Sequence, residues 1–333
     1  MQHNEMHADS WPRTAILIMG VHRSGTSALT RSIALCGPSL PSQLLRPADD
    51  NPVGFWESTK IMSLHEQFLS EAGSSWDDIL DVDCKWFEGQ AAVGFRHRLS
   101  ELIASEYGSA SQFLVKDPRI CKLFPLWRDA LREMRIGLKI VIPIRHPLEV
   151  AKSLNKRDMF PLAKGVTLWL RNFLATERDS RGFPRIFIKY DELLSNPVGV
   201  LEDIGATLGI SWSTSPSEIR SELGAFLRGD LRHHKAGAGV EAELMKVSVD
   251  VESAWEWAQQ AAASRVALET RALDEMTSRI KSVEPQFEAE IKWLRMKLNS
   301  MQTMSPVEVE RSTRFSTRVE RLRALGRLWI SRI

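Results

Sequence analysis

The sequence predicts an α/β fold in which helices cover both faces of a central parallel sheet, followed by a C-terminal helical segment. Short continuous apolar runs, typical of strands buried on both faces, alternate with stretches that have apolar residues at helical spacing. This alternation predicts parallel βαβ units in one sheet. After about residue 240 only helical spacing remains, so we predict one domain over residues 11–240 and a helical segment over residues 241–333.

The predicted elements follow one another in a regular order. The strands are Thr14–Met19, Phe113–Val115, Leu138–Ile144 and Arg185–Lys189. The helices between and after them are Thr26–Leu35, Thr59–Glu71, Gly94–Tyr107, Leu123–Met134, Leu162–Arg178 and a turn with a helix over Leu193–Leu208. Pro147 is expected in the first turn of a further helix, where its missing N–H costs nothing.

The composition excludes several classes of protein. The net charge of +2 argues against a dedicated nucleic-acid binder, so no nucleic-acid partner is predicted. Residues 1–10 lack the basic and apolar regions of a signal peptide, and no apolar run is long enough to span a bilayer. Three widely spaced cysteines are typical of a reducing compartment. We therefore expect a cytoplasmic location.

The loop Gly20–Ser27 joins the first predicted strand to the first helix. A glycine, four residues, a glycine and two hydroxyl-bearing residues form the frame of a P-loop, whose backbone N–H groups point at a phosphate. Thr26 stands where an ATPase or GTPase has lysine, and a positive charge lies inside the loop at Arg23. The loop and the predicted sheet together indicate a P-loop-like three-layer fold that binds a phosphorylated ligand other than a triphosphate.

Three other segments supply charged groups near predicted strand ends or helix starts. Arg145–Ser153 offers a guanidinium and a hydroxyl for a second phosphate, although an arginine at a strand end is often only solvated or paired. Asn51–Glu57 places the Glu57 carboxylate beside aromatic residues. This carboxylate is either a functional group or one that only stabilises the N-terminus of the following helix. Val115–Arg119 lies at the carboxyl end of a strand, the edge at which open α/β sheets bind ligands. Its charged residues either contact a ligand or form an Asp–Arg ion pair that shapes the turn.

Together these segments resemble the sulfotransferases that use 3′-phosphoadenosine 5′-phosphosulfate (PAPS), especially the bacterial and glycan-directed branches. The resemblance covers about residues 14–240 and is carried, in chain order, by Arg23–Ser27, Gly54–Glu57, Lys116–Arg119, Arg145–Ser153 and Ile188–Pro197. It implies transfer of a sulfuryl group from PAPS to an acceptor hydroxyl, on a carbohydrate or a glycolipid, without a metal. A small-molecule or tyrosine hydroxyl remains an alternative acceptor.

The resemblance also implies roles for individual residues. The residues implied to bind the donor are Arg23, Ser24, Gly25, Thr26, Ser27, Arg145, Ser153 and Tyr190. The backbone of Ser24–Thr26 and the hydroxyls of Thr26 and Ser27 would hold the 5′-phosphate, and Arg145 with Ser153 would hold the 3′-phosphate. Arg23 would neutralise charge on the bridging oxygen as the S–O bond breaks.

The chain departs from the cytosolic branch of this family at two points. The histidine base has no counterpart, so Glu57 is the predicted base, with an ordinary pKa of about 4.3 that keeps it ionised at neutral pH. The Arg-Lys-Gly lid is missing, and residues 228–235 are the candidates for closing over the nucleotide. A P-loop kinase with a degenerate Walker motif and a non-catalytic assembly protein remain alternative functions.

The C-terminal segment has two parts, an apolar repeat and a basic stretch, and each part has two alternative interpretations. Apolar residues from Leu273 to Met301 recur at steps of three and four, which predicts either helices packed on their own chain or a coiled coil for homo-oligomers. Consecutive steps of four near Pro285 break a strict heptad. The basic stretch Arg311–Ile333 is either a docked helix or an amphipathic helix that contacts an anionic membrane.

Overall fold

The sheet has four parallel strands. The structure, a computed structural model, describes residues 11–48, 51–227, 249–264 and 268–302. Its strands are β1 (Arg13–Ile18), β2 (Gln112–Lys116), β3 (Ile136–Ile144) and β4 (Arg185–Lys189), in the order β2-β1-β3-β4. The predicted α/β fold with a central parallel sheet is confirmed.

The helices of the described residues largely follow the predicted positions. They are α1 (Thr26–Leu35), α2 (Thr59–Glu71), α3 (Cys84–Glu88), α4 (Gln90–Tyr107), α5 (Ile120–Glu133), α6 (Pro147–Asp158), α7 (Leu162–Asp179), α8 (Tyr190–Ser195), α9 (Pro197–Leu208), α10 (Arg220–Phe226), α11 (Val249–Ser264) and α12 (Arg271–Gln302). Pro147 occupies the first turn of α6, as predicted. The prediction missed α3 and α10, because five and seven residues are too few to show a clear helical repeat. The Asp83 side chain caps α3 by accepting from the Lys85 N–H at 3.0 Å.

Helices cover both faces of the sheet, which makes three layers. On one face Ile16, Ile18 and Val141 pack in a single core with apolar residues of α1, α8, α9 and α10. On the other face α5 packs against β3, and α7 packs against α5 and α6. Every residue of β1 from Ala15 to Ile18 is fully buried, because alternate side chains enter the two cores. All strands run parallel, so their carboxyl ends share one edge of the sheet.

The described residues form two compact units, one of residues 11–227 with 255–264 and one of residues 249–254 with 268–302. In the first unit the Trp257 ring lies 6.1 Å from Phe173 and 5.6 Å from Phe187, and Trp255 lies 6.2 Å from Trp169. Aromatic residues beyond position 240 therefore complete the packing around α7 and β4. The domain boundary at residue 240 stays a prediction.

The second unit consists of the start of α11 and the long helix α12. Leu273, Met276 and Ile280 of the apolar repeat are buried within this single chain, and Arg279 forms an ion pair of 2.5 Å with Asp250. The helix continues through Pro285. Self-association stays a prediction, and the basic stretch at 311–333 lies outside the described residues. Among the described helices, none is long and apolar enough to cross a membrane.

Candidate functional site

The loop between β1 and α1 is folded tightly by its own hydrogen bonds. The Ser24 N–H donates to the Val21 carbonyl at 3.2 Å, and the Ser24 hydroxyl donates to the same oxygen at 2.7 Å. Two residues take left-handed backbone conformations, Arg23 with φ 71° and Gly25 with φ 93°. Because Gly25 immediately precedes α1, the unpaired N–H groups of the first helical turn open towards this loop.

Tyr190 packs directly on the loop glycine. A Cβ atom added to Gly25 would lie 2.3 Å from Cδ2 of the Tyr190 ring, so no side chain fits there. The Arg145 guanidinium lies 4.9 Å from the centroid of the same ring, at cation–π distance. Tyr190 thus joins the loop between β1 and α1 to the carboxyl end of β3, which precedes Arg145.

The predicted phosphate clamps meet at Arg23. Its Nε donates to Ser153 Oγ at 2.8 Å, while Arg145 Nη1 donates to the Arg23 carbonyl at 3.2 Å. Arg145 Nε also pairs with Glu149 Oε2 at 3.0 Å. The structure therefore brings Arg23, Arg145 and Ser153 together, with the Ser153 hydroxyl accepting from Arg23. Because a hydroxyl can accept and donate at once, Ser153 could still donate its O–H to a phosphate oxygen while it holds Arg23.

A buried lysine ties the loop to the predicted base. Lys116, the last residue of β2, donates to Ser27 Oγ at 3.2 Å, to the Phe55 carbonyl at 3.1 Å and to Glu57 Oε1. Glu57 is only 4% exposed, and its Oε2 lies 3.8 Å from Arg119. Sequence reasoning placed Lys116 in a ligand-binding strand end without giving it a role. Its position at the carboxyl end of β2 was the available signal.

The electrostatics of Glu57 differ from the expectation for an exposed carboxylate. Burial raises the pKa of Glu57 above its ordinary value, and the Lys116 ammonium opposes this rise. The ordinary pKa expected from the sequence is therefore corrected upwards. The reason is that the sequence shows the carboxylate but not its removal from water.

A second buried network fixes Arg119. Asp117 accepts from Arg119 Nη1 at 2.9 Å and pairs with His65 Nδ1 at 2.9 Å, and Trp127 Nε1 donates to His65 Nε2 at 2.9 Å. Burial alone would raise the pKa of Asp117, but Arg119 and His65 lower it well below its usual range. The predicted Asp–Arg ion pair exists, and it is anchored through His65 to helix α5.

These groups surround one cavity of about 400 Å³. The predicted site residues that line it are Arg23, Gly25, Thr26, Ser27, Glu57, Arg145 and Tyr190. Ser24 and Ser153, at 1% and 4% exposure, lie behind this wall. Sequence reasoning missed His22, although it belongs to the loop itself. It also missed Trp76 and Arg157, because only the tertiary fold brings α6 and the segment after α2 to the loop.

Two other sequence-based expectations concern the surroundings of the site. The segment 228–235, predicted to close over the nucleotide, lies outside the described residues. Within the described ranges, no group of three His, Cys, Asp or Glu side chains could hold a metal ion.

The arrangement has the chemistry of an anion site with a carboxylate beside it. The helix N-terminus of α1 and the guanidinium groups of Arg23 and Arg145 can bind phosphate oxygens. Lys116 can neutralise charge close to Ser27, and Glu57 can accept a proton when it is ionised. Binding of a diphosphorylated ligand and a proton transfer are therefore both compatible with this cavity.

Comparison with known proteins gives only distant likenesses. No protein-family model matches the chain, and no curated protein matches it significantly. Similar solved structures include the sulfotransferase domain of the Synechococcus PCC 7002 olefin synthase, with 17% identity, a TM-score of 0.43, and coverage of 78% of this chain and 96% of that one. The sulfotransferase domain from the curacin biosynthetic pathway shows 16% identity and a TM-score of 0.41, covering 82% of this chain and 99% of that one. A sulfotransferase from Mycobacterium tuberculosis H37Rv shows 16% identity and a TM-score of 0.38, covering 75% of this chain and 78% of that one. TM-scores below 0.5 carry no weight for function, so function rests on the residues themselves.

Proposed function

We propose that this chain is a sulfotransferase that moves a sulfuryl group from PAPS to an acceptor hydroxyl. The observation that carries the proposal is the meeting of two anion-binding segments at one cavity, where Arg145 donates to the backbone of Arg23 inside the loop. PAPS carries a phosphate on the 3′ position and a phosphosulfate on the 5′ position of one ribose. A ligand of this kind needs two separate anion-binding sites, one for each phosphorylated position, at a fixed distance from each other.

The residues present fit the donor. Thr26 and the N-terminus of α1 would hold the 5′-phosphate, and Arg145 the 3′-phosphate, with Tyr190 beside the nucleotide. The loop has no lysine after its second glycine, so it lacks the group that reaches the outer phosphates of a nucleoside triphosphate. The same residues therefore favour PAPS over ATP, and sulfuryl transfer over the kinase alternative.

The transfer step needs a base, a charge-neutralising group and an acceptor oxygen. The acceptor oxygen bonds to sulfur as the bond between sulfur and the bridging oxygen breaks, and 3′,5′-adenosine bisphosphate leaves. Glu57 takes the hydroxyl proton, while Arg23 and Lys116 stabilise the charge that develops on the bridging oxygen. Ser153 holds the Arg23 side chain in place through its 2.8 Å hydrogen bond.

The acceptor we propose is a carbohydrate or glycolipid hydroxyl. The support for this finer assignment comes from the sequence segments Gly54–Glu57 and Lys116–Arg119, which resemble the glycan-directed branches. These same segments supply Glu57 and Lys116 to the cavity, so they lie where an acceptor has to approach.

Calorimetry with 3′,5′-adenosine bisphosphate, ATP and AMP, each titrated without and with magnesium, tests the donor assignment. We expect selective binding of the bisphosphate, and an Arg145→Ala variant should lose about tenfold or more in affinity because it loses a charge-assisted contact to phosphate. Arg132→Ala is the matched control, since its side chain is exposed on α5. Preference for ATP that depends on magnesium would instead support the kinase alternative and overturn the proposal.

A further inference from the structure

One polar side chain in the cavity wall has no role in the steps above. His22 lies between the end of β1 and Arg23, and its ring lines the cavity. Its Nε2 atom is shielded from water and has no hydrogen-bond partner. The large majority of buried side-chain polar atoms in folded proteins are hydrogen-bonded, so an unpartnered nitrogen on a ring that lines the cavity marks His22 as a candidate ligand contact.

The His22 ring is held in place by aromatic packing. Its centroid lies 4.4 Å from the Trp76 ring at an angle of 56°. Trp76 in turn stacks on Phe160 at 5.7 Å, and the Arg157 guanidinium lies 5.1 Å from a Trp76 ring centroid. The His22 ring is therefore held by packing, and its Nε2 atom makes no hydrogen bond to the protein, which leaves hydrogen-bonding capacity for a ligand.

The charges that face His22 come from three different elements. Burial lowers the pKa of His22 well below its ordinary value, and Arg119, Arg157 and Lys116 lower it further, while Asp117 opposes them. The imidazole is therefore neutral at neutral pH and carries one N–H. A neutral N–H donor surrounded by cationic side chains is suited to an anionic oxygen.

The position of His22 shows which anion would reach it. Lys116 and Arg119, which face His22, also flank Glu57, so His22 belongs to the end of the cavity where the proton is accepted. Arg145 and Tyr190 pack on each other and on the loop at Gly25 and Arg23, where the nucleotide phosphates are proposed to bind. Between these two ends lies the group that is transferred.

We propose that the His22 imidazole donates a hydrogen bond to an oxygen of the sulfuryl group of the bound donor, next to Lys116. This inference rests on the proposed function and deepens it, because it assigns the residue that distinguishes PAPS from the bisphosphate left after transfer. The bisphosphate has no sulfuryl group, so only PAPS gains the contact. His22 then makes the site bind the donor PAPS more tightly than the product 3′,5′-adenosine bisphosphate.

The test compares the affinities for PAPS and for 3′,5′-adenosine bisphosphate by calorimetry in the full chain. His22→Leu retains an apolar side chain against Trp76 but has no donor, and His22→Gln retains an N–H donor. We expect His22→Leu to lose about tenfold in PAPS affinity with bisphosphate affinity within about twofold of wild type, and His22→Gln to stay within about threefold for both. His97→Leu, at a histidine with a 76% exposed side chain, serves as the control.

The outcomes separate this inference from the function on which it rests. Equal losses for both ligands in His22→Leu, or an unchanged PAPS affinity, would overturn the role of His22 while leaving the donor site intact. Retained bisphosphate binding shows that a variant is folded, so a selective loss of PAPS cannot come from misfolding. If wild-type protein binds neither ligand, the proposed function fails, and the role of His22 fails with it.

Discussion

Arg23 Nε and Ser153 Oγ are joined by a hydrogen bond of 2.8 Å across 130 residues of sequence. The bond links the loop after β1 to helix α6, and it holds the Arg23 guanidinium against that helix. Arg145 reinforces the same junction by donating to the Arg23 carbonyl. The orientation of the loop arginine therefore depends on a residue that belongs to a different βα unit.

Removing the Ser153 hydroxyl should weaken donor binding. In Ser153→Ala the Arg23 guanidinium loses its acceptor, and a hydrogen bond to a charged group is worth about 1.5–3 kcal/mol. We expect bisphosphate affinity to fall about tenfold, measured by calorimetry, and Ser153→Thr to retain most of it. Ser63→Ala on the exposed side of α2 is the control. An unchanged affinity in Ser153→Ala would show that Arg23 needs no such support.

A methyl group at Gly25 should abolish nucleotide binding. Gly25→Ala combines a left-handed φ of 93° with a Cβ that would meet the Tyr190 ring. Gly182→Ala is the matched control, because its φ is 80° and its Cβ would meet nothing within 4 Å. Both should lose about 1–3 kcal/mol of stability in urea unfolding from backbone strain. Only Gly25→Ala should lose bisphosphate binding, by at least about thirtyfold; equal binding in the two variants would contradict the close packing of Tyr190.

The Lys116–Glu57 pair should behave as a unit. Lys116→Met leaves the Glu57 carboxylate buried without its ammonium, which is expected to cost about 3–5 kcal/mol of unfolding free energy and to raise the pKa of Glu57 further. The double variant with Glu57→Gln should recover most of this stability, because neither member of the pair is left charged without the other, yet show no sulfuryl transfer. A double variant as unstable as Lys116→Met would argue against a coupled pair.

Asp117 should make the free energy of unfolding depend on pH in the acidic range. The pKa of Asp117 is depressed in the folded protein, where Arg119 and His65 outweigh burial, while the unfolded chain has an ordinary value of about 3.9. Its stabilising contribution is thus complete above about pH 4 and is lost as the pH falls towards the depressed value. Urea unfolding between pH 7 and pH 3 should show a shallower acid dependence for Asp117→Asn, which should be less stable at pH 7 by about 3 kcal/mol. Glu202→Gln, on the exposed side of α9, should keep the wild-type profile.

The aromatic packing of α11 should stabilise the sheet unit. Trp257→Ala removes ring contacts to Phe173 and Phe187, and because Trp257 is half-buried we expect a loss of about 2 kcal/mol in unfolding free energy. The neighbouring exposed residue gives the control Glu256→Ala, which should change stability by no more than about 0.5 kcal/mol. Equal stability in both variants would show that the unit does not need residues beyond the predicted boundary at 240.

The sequence by itself determined the order of the elements and the frame of the loop. Strand β4 and helices α1 and α2 begin and end where apolar spacing and terminating residues indicated, because that spacing reports local burial along one strand or one helical face. The frame Gly20–Ser27 predicted a tight loop between a strand and a helix, since such a turn depends on glycine at fixed positions within a few residues. Phosphate binding by this loop stays a prediction. Local patterns of this kind need no knowledge of distant contacts.

Only the tertiary structure decided which side chains meet. The strand order β2-β1-β3-β4 brings Lys116, the loop and Arg145 to neighbouring strand ends, and no local pattern encodes that order. The pairing of Glu57 with Lys116, the bond from Arg23 to Ser153 and the unpartnered nitrogen of His22 are likewise properties of packing. Burial and neighbouring charges set the protonation of these groups, and both depend on distances between residues that are far apart in the chain.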